Sequence, residues 1–256
     1  MQIEQTAPGP LQDLLHPLEG GEFSFACHSK VSCFTECCRQ LNLLMTPYDV
    51  VRLKNSLGID ADALIEQYTD VRFDEQRGLP TVYLKMLDNE RKTCPFVSPE
   101  GCRVYLDRPS ACRTYPLARA SRKHRLHGTL IENYFIVKEP HCKGFEEERR
   151  WTVDEWISDQ GLEPYHAMNN LWMEIVTHPK LSSAQLSEKQ AQMFFMASYN
   201  AEQFRNFVTR SRFLQIFKLD PEEIERIREN DEDLLKLAYR WLRFSLLNEP
   251  SLEKNT

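Results

Sequence analysis

Eight cysteines, all placed before residue 143, constrain this 256-residue chain more than any other feature. Four lie in the stretch Cys27-His-Ser-Lys-Val-Ser-Cys33-Phe-Thr-Glu-Cys37-Cys38. The others follow at Cys94, Cys102, Cys112 and Cys142. A buried free cysteine behaves as a small hydrophobe, and that account suffices for any single one of them. It does not explain eight thiols in the first 142 residues and none in the 114 that follow. The concentration points to thiols used for chemistry.

Compartment decides which chemistry. The first 26 residues carry three prolines and several acids, with no basic segment followed by an apolar one, so no secretory signal is expected. There is no run of eighteen or more apolar residues, so no membrane span and no membrane partner is expected. The expectation is a cytoplasmic protein, in which thiols stay reduced. There, cysteine spacing reads as metal-binding or catalytic rather than as a disulfide framework. A net charge of −6 argues against a nucleic-acid partner, which calls for a basic surface.

The charge is uneven. Arg103, Arg108, Arg113, Arg119, Arg122, Lys123 and Arg125 face only Asp107 in the interval from Arg103 to Arg125. This stretch contains Cys112 and begins beside Cys102. It fits a solvated face and, equally, a source of positive charge that offsets thiolate ligands.

Along the chain, residues 1–24 read as a flexible leader punctuated by Pro8, Pro10, Pro17 and Gly20-Gly21. Residues 25–148 read as a cysteine-cluster metal-binding domain. In it, Thr46-Pro47-Tyr48-Asp49 predicts a helix from about Pro47 to Ser56, stopped by Gly58. Asp60 predicts a cap for a second helix through Tyr68. Strands are expected over Thr81–Leu87 and Thr129–Val137, with a turn at His127-Gly128 between cysteine-bearing loops. Residues 149–256 read as a helical region. Thr152 with Glu155 forms a capping box, Asn200 with Gln203 a weaker one, and Asp220-Pro221-Glu222-Glu223 a helix start. Apolar residues recur at helical spacing from Ile224 to Leu242. Trp172, Met193, Phe194, Phe195, Met196 and Trp241 read as packed core. The fold class expected is α+β, a small cysteine-rich module followed by helices.

Thiolates suit zinc, Cu(I) and iron–sulfur clusters. The chain has neither the C-x-x-C pairs of an ordinary zinc ribbon nor a C-x-x-C-x-x-C run. Its spacings, five, three and no residues in the first group, then seven, nine and twenty-nine, demand a cage built from loops. Eight thiols allow two four-ligand sites, or one site with spares. Adjacent Cys37 and Cys38 point in different directions in most backbone conformations, so either one of them joins a given metal or each serves a different site. His28 and His141 sit beside cysteines, and His124-x2-His127 fits one helical face. Each is read as an ordinary polar residue first and a metal ligand second. No dinucleotide fingerprint, P-loop, zinc-protease helix or nucleophile elbow is present.

Taken together, Cys33–Cys38, Thr46-Pro47-Tyr48-Asp49, Cys94-Pro95-Phe96, Gly101-Cys102-Arg103-Val104-Tyr105, Arg108-Pro109 and Cys112-Arg113-Thr114-Tyr115-Pro116 resemble the YkgJ-type cysteine-cluster family. Its members are described as zinc- or iron-chelating domains. The resemblance covers about residues 25–145, and one branch is similar to flagellin lysine N-methylases. The first cysteine group departs from the compact family form, with Cys27 five residues before Cys33. The resemblance implies that the ligands come from Cys27, Cys33, Cys37, Cys38, Cys94, Cys102, Cys112 and Cys142, with Cys33, Cys37, Cys94, Cys102 and Cys112 foremost. It further implies that Arg108 and Arg113 neutralise the centre, and that Tyr105 and Tyr115 hydrogen-bond to sulfur or exclude solvent. The cofactor expected is an iron–sulfur cluster of the 4Fe-4S kind, with a possible redox role. The alternatives are structural zinc, with a protein partner bound through the helices, and a methylase-like enzyme.

Overall fold

The computed structural model describes residues 14–123, 129–182 and 185–255. His124, Arg125, the expected turn at His127-Gly128 and the first half of the expected leader lie outside them. The second half of that leader is built into sheets, as β1 (Leu15–Pro17) and β2 (Glu22–Ser24). Turns and a 3-10 turn at Glu36–Cys38 carry the first cysteine group. β3 (Leu44–Met45) leads into α1 (Pro47–Leu57).

The start of α1 is set by chemistry legible in the sequence. Thr46 Oγ1 accepts from the Asp49 N–H, and the Asp49 carboxylate accepts from the Thr46 N–H. Gly58 ends the helix at φ 64°, a left-handed conformation that costs glycine little. Asp60 then caps α2 (Ala61–Tyr68) by accepting from the Ala63 N–H. β4 (Thr69–Phe73) and β5 (Pro80–Leu84) follow. The strand expected to reach Leu87 stops at Leu84, because its partner β4 begins there, with Thr69 opposite Leu84.

A short hairpin, β6 (Val97–Ser98) and β7 (Gly101–Cys102), precedes α3 (Ser110–Thr114). Cys102 therefore lies on a strand and Cys112 on a helix, where loops were expected. β8 (Leu117–Lys123), β9 (Leu130–Val137) and β10 (Arg150–Thr152) complete the strands. The sheets are β1-β9-β8, β10-β2, β3-β5-β4 and β6-β7, all antiparallel.

The helical part opens with α4 (Val153–Asp159), capped reciprocally by Thr152 and Glu155. Then come α5 (Glu163–Val176), α6 (Pro179–Ser182), α7 (Glu188–Tyr199), α8 (Ala201–Arg210), α9 (Phe213–Ile216), α10 (Pro221–Glu229) and α11 (Asp231–Leu247). The apolar run from Ile224 to Leu242 is thus two helices. Asn230 breaks it and caps α11, accepting from the N–H groups of Glu232 and Asp233. Helices followed by antiparallel strands and a helical C-terminal region make the fold α+β. No helix among the described residues is long and apolar enough to cross a membrane.

Two hydrophobic clusters hold these elements. The larger joins Tyr48, Val50 and Leu53 of α1 and Val82 of β5 to Trp172, Phe194, Tyr199, Leu234 and Trp241. The aromatic residues of the helices are therefore core, as their spacing predicts. Each fully buried side chain of this size contributes roughly 1.5–3 kcal/mol relative to exposure. The smaller cluster gathers Phe23, Phe25, Leu117, Trp151, Trp156 and Leu162. Phe25 meets Trp156, Tyr115 and Phe145 edge-on at 5.7, 5.8 and 5.2 Å. Cys38, Cys94 and Cys102 belong to the first cluster and Cys142 to the second.

Candidate metal centre

Separate stretches of chain carry the thiols, and backbone contacts tie those stretches together. The Phe25 N–H donates to the Arg149 carbonyl at 2.9 Å, and the Ala26 N–H to that of Gly144 at 3.0 Å. These bonds lay Cys27 beside Cys142. Position 144 demands glycine: a Cβ there would sit 2.5 Å from the Phe25 ring and 2.8 Å from the Ala26 carbonyl. The Lys143 N–H donates to Cys33 Sγ at 3.1 Å, which brings Cys33 to the same turn.

A second set of contacts gathers the middle thiols. The Cys94 N–H donates to the Cys38 carbonyl at 2.8 Å, next to an antiparallel bridge between Arg39 and Thr93. The β6–β7 hairpin turns through Gly101 at φ 121° and sets Cys102 opposite Val97. The Phe96 N–H donates to Cys94 Sγ at 3.4 Å. Cys112 arrives on α3, which Asp49 anchors. That carboxylate accepts from the Ser110 N–H at 2.7 Å and the Ser110 hydroxyl at 3.1 Å, and it is fully buried.

The thiols act on one another electrically. Burial, then Cys37, Cys33 and Cys142, push the Cys27 thiol up to about 11. Burial, with Cys94, Cys37 and Cys102, raises Cys112. Cys37 is raised by its hydrogen bond with Cys38 and then by burial, and Cys94, Cys102 and Cys142 chiefly by burial. Cys27 and Cys112 nonetheless present surface to solvent.

Of the cations, Arg108 comes nearest this group in effect. It is buried and acts on Cys112, Cys102 and Cys27. It donates to the Tyr105 carbonyl and to Gln160 Oε1, and stacks over the Tyr105 ring at 3.8 Å. Arg113 is placed differently. Its guanidinium donates to the backbone carbonyls of Gln160 and Leu106 and covers the Tyr165 ring at 4.6 Å. Arg103 acts on Cys94 and Cys102 instead, and Arg119 pairs with Glu132 away from the thiols. Tyr105 is exposed. His28 pairs with Glu147 at 3.2 Å, and His141 lies 3.6 Å from Glu139.

Tyr115 gives the sharpest test of fit. Its hydroxyl is buried, has no well-aligned hydrogen-bond partner, and lies within reach of the Cys142 thiol. A thiolate at Cys142 would accept from it. The donor set, eight free thiols with two already receiving backbone N–H bonds, matches the preference of soft metals for sulfur. Among the described residues, however, no three His, Cys, Asp or Glu side chains already stand as a cage around one ion.

Sequence reasoning did not find Lys143, Phe96, Asp49 or Gln160 as parts of this site. The first two act through backbone N–H groups, which carry no residue-type signal. Asp49 stands in the sequence as a helix-start acid within the Thr46-Pro47-Tyr48-Asp49 motif, and nothing there links it or Gln160 to the thiols.

Residues 26–143 match the family described as "CxxCxxCC: Putative zinc- or iron-chelating domain", the cysteine-cluster family that the motifs resemble. The matched interval holds all eight cysteines and ends before α4. No curated protein and no solved structure matches the chain significantly. The similarity is to a family described as zinc- or iron-chelating, and it covers the part of the chain that carries the cysteines.

Proposed function

We propose that the eight cysteines hold an iron–sulfur centre and that the chain serves a redox role through it. What supports this reading is the set of backbone contacts that ties the cysteine-bearing stretches to one another, the Lys143 N–H with Cys33 Sγ and the Cys94 N–H with the Cys38 carbonyl, together with the Phe96 N–H aimed at Cys94 Sγ. Bound there, such a cluster would supply one-electron chemistry. The chain's own residues would tune it. Arg108 offsets thiolate charge from a buried position, and Lys143 and Phe96 donate to sulfur. Tyr115 supplies a hydroxyl beside Cys142. The solvent-facing surfaces of Cys27 and Cys112 support electron exchange with a partner.

Structural zinc is the second reading. The packing of Cys38, Cys94 and Cys102 with the larger hydrophobic cluster and of Cys142 with the smaller favours it, because a closed tetrahedral site drawing on both would staple the two together. Purification without oxygen or added metal, followed by iron, zinc and acid-labile sulfide analysis, separates the two. Iron and sulfide in matching amounts, with visible absorption, support the cluster. A colourless protein with stoichiometric zinc removes the redox role, and a protein free of both metals removes chelation itself.

A further inference from the structure

β4 is an outer strand of the sheet β3-β5-β4, and among the described residues no strand pairs with its far edge. The register decides which backbone groups that edge offers. Asp70 stands opposite Tyr83 and Arg72 opposite Thr81. Beyond the two ends of the pairing, the Asp74 N–H donates to the Leu79 carbonyl and the Lys85 N–H to the Tyr68 carbonyl. Residues of an antiparallel pair alternate between bonded and non-bonded positions. Asp70 and Arg72 therefore spend their N–H and C=O groups on β5, while Thr69, Val71 and Phe73 turn theirs outward. Among the described residues, no backbone hydrogen bond from another segment reaches Val71 or Phe73. Side chains alternate too. Val71 shares its face with Val82 and Met45, which are fully buried, yet Val71 is 38% and Phe73 62% exposed. Asp70 and Arg72 share the opposite face. Edges guarded against pairing often carry lysine or proline. This one carries neither, and its acid and base stand two residues apart, which makes it complementary to a copy of itself.

We propose that two copies of this chain associate through their β4 edges, antiparallel, about a two-fold axis at Val71. Val71 then meets its own counterpart in a hydrogen-bonded pair, and Thr69 of each copy meets Phe73 of the other. Asp70 of each copy meets Arg72 of the other in the non-bonded pairs, where side chains stand closest. The two three-stranded sheets become one of six strands, and Val71 and Phe73 lose their exposure. Thr69 takes part through its backbone, since its buried hydroxyl already donates to the Ile65 carbonyl at 2.8 Å. In the single chain Arg72 lies over the Tyr83 ring at 4.0 Å and donates to Asn42 Oδ1 at 2.8 Å. Turning to the other copy's carboxylate exchanges that exposed bond for an ion pair. Five residues a side make a small interface, so reversible association is the form expected. None of the eight cysteines lies on β4, so the dimer is independent of chelation.

The test is sedimentation equilibrium of the reduced full chain over a series of concentrations, with reductant present so that intermolecular disulfides do not contribute. The wild-type chain should show a monomer–dimer equilibrium. Asp70→Arg sets base against base and Arg72→Asp sets acid against acid, so each should weaken association about tenfold or more. An equimolar mixture of the two variants restores both ion pairs and should regain the wild-type association. A wild-type chain that stays monomeric overturns the proposal, as does a dimer that both variants retain or a mixture that regains nothing. Hydrogen exchange of the wild-type chain decides the matter even where a variant does not fold. Protection of the Val71 and Phe73 N–H groups should rise with protein concentration, and protection that does not change overturns the β4 interface.

Discussion

At the scale of single residues, Tyr115 and His166 carry the clearest consequences. The Tyr115 hydroxyl is buried without an aligned partner, so its value to the protein depends on what Cys142 becomes. Removing a donor to a ligand atom commonly weakens metal binding 10–100-fold. Tyr115→Phe should therefore lower affinity about tenfold in competition against a chromophoric chelator, with little loss of fold. His166 makes a different prediction. Burial, and then Arg119, lower its pKa from 6.5 to about 4, and its Nε2 has no hydrogen-bond partner. The unfolded chain takes the proton first as pH falls. The stabilisation is complete above pH 6.5 and is lost towards pH 4. The ring is only half-buried, so solvent screens the charge and the loss is about 1–2 kcal/mol. Urea unfolding at pH 7.5 and pH 5 should show that loss in the wild-type chain and a smaller one in His166→Gln.

Elements matter through how they are tied. Gly144 lets the 25–27 segment lie against the Cys142 turn, and no larger residue fits. Gly144→Ala should cost about 1–3 kcal/mol, as overpacking does. It should also reduce metal uptake, because the segment carrying Cys27 is pushed away. Retained stability with full metal content would show that the contact is dispensable. Asp49 joins the start of α1 to the start of α3, and so places Cys112. Asp49→Asn keeps the shape but turns an acceptor into a donor facing an N–H group. A buried group left unsatisfied costs about 1–3 kcal/mol. Thermal unfolding should show that loss, and Cys112 should react faster with a thiol reagent.

For the molecule as a whole, the main core is shared. Tyr48, Val50 and Leu53 of α1 are buried against residues of the C-terminal helices, including Trp172 and Trp241. Residues 1–148 expressed alone should therefore fail to fold stably, because this face of α1 would be exposed. Circular dichroism and size-exclusion chromatography check this, and a compact fragment that takes up metal would refute it. Full-length protein stripped by a chelator should melt at a lower temperature than the metal-loaded form, since a ligand bound only by the folded state adds to its stability.

What the sequence determined by itself was local or compositional. The caps at Thr46, Asp60 and Thr152, the stop at Gly58 and the helical periodicity beyond Thr152 depend on residues a few positions apart, so they were readable. The eight thiols and the motif from Gly101 to Pro116 pointed to metal chelation, because sulfur donors have a narrow range of partners. Only the tertiary structure decided which backbone groups meet the thiols and the segments that carry them. It also revealed that Arg108 faces them while Arg113 is spent on carbonyl groups, and that Lys143, Phe96 and Asp49 hold the site in place. Those facts rest on backbone N–H groups, which every residue but proline carries. They also rest on contacts between positions more than a hundred residues apart, such as Ala26 with Gly144, and spacing along the chain does not encode them.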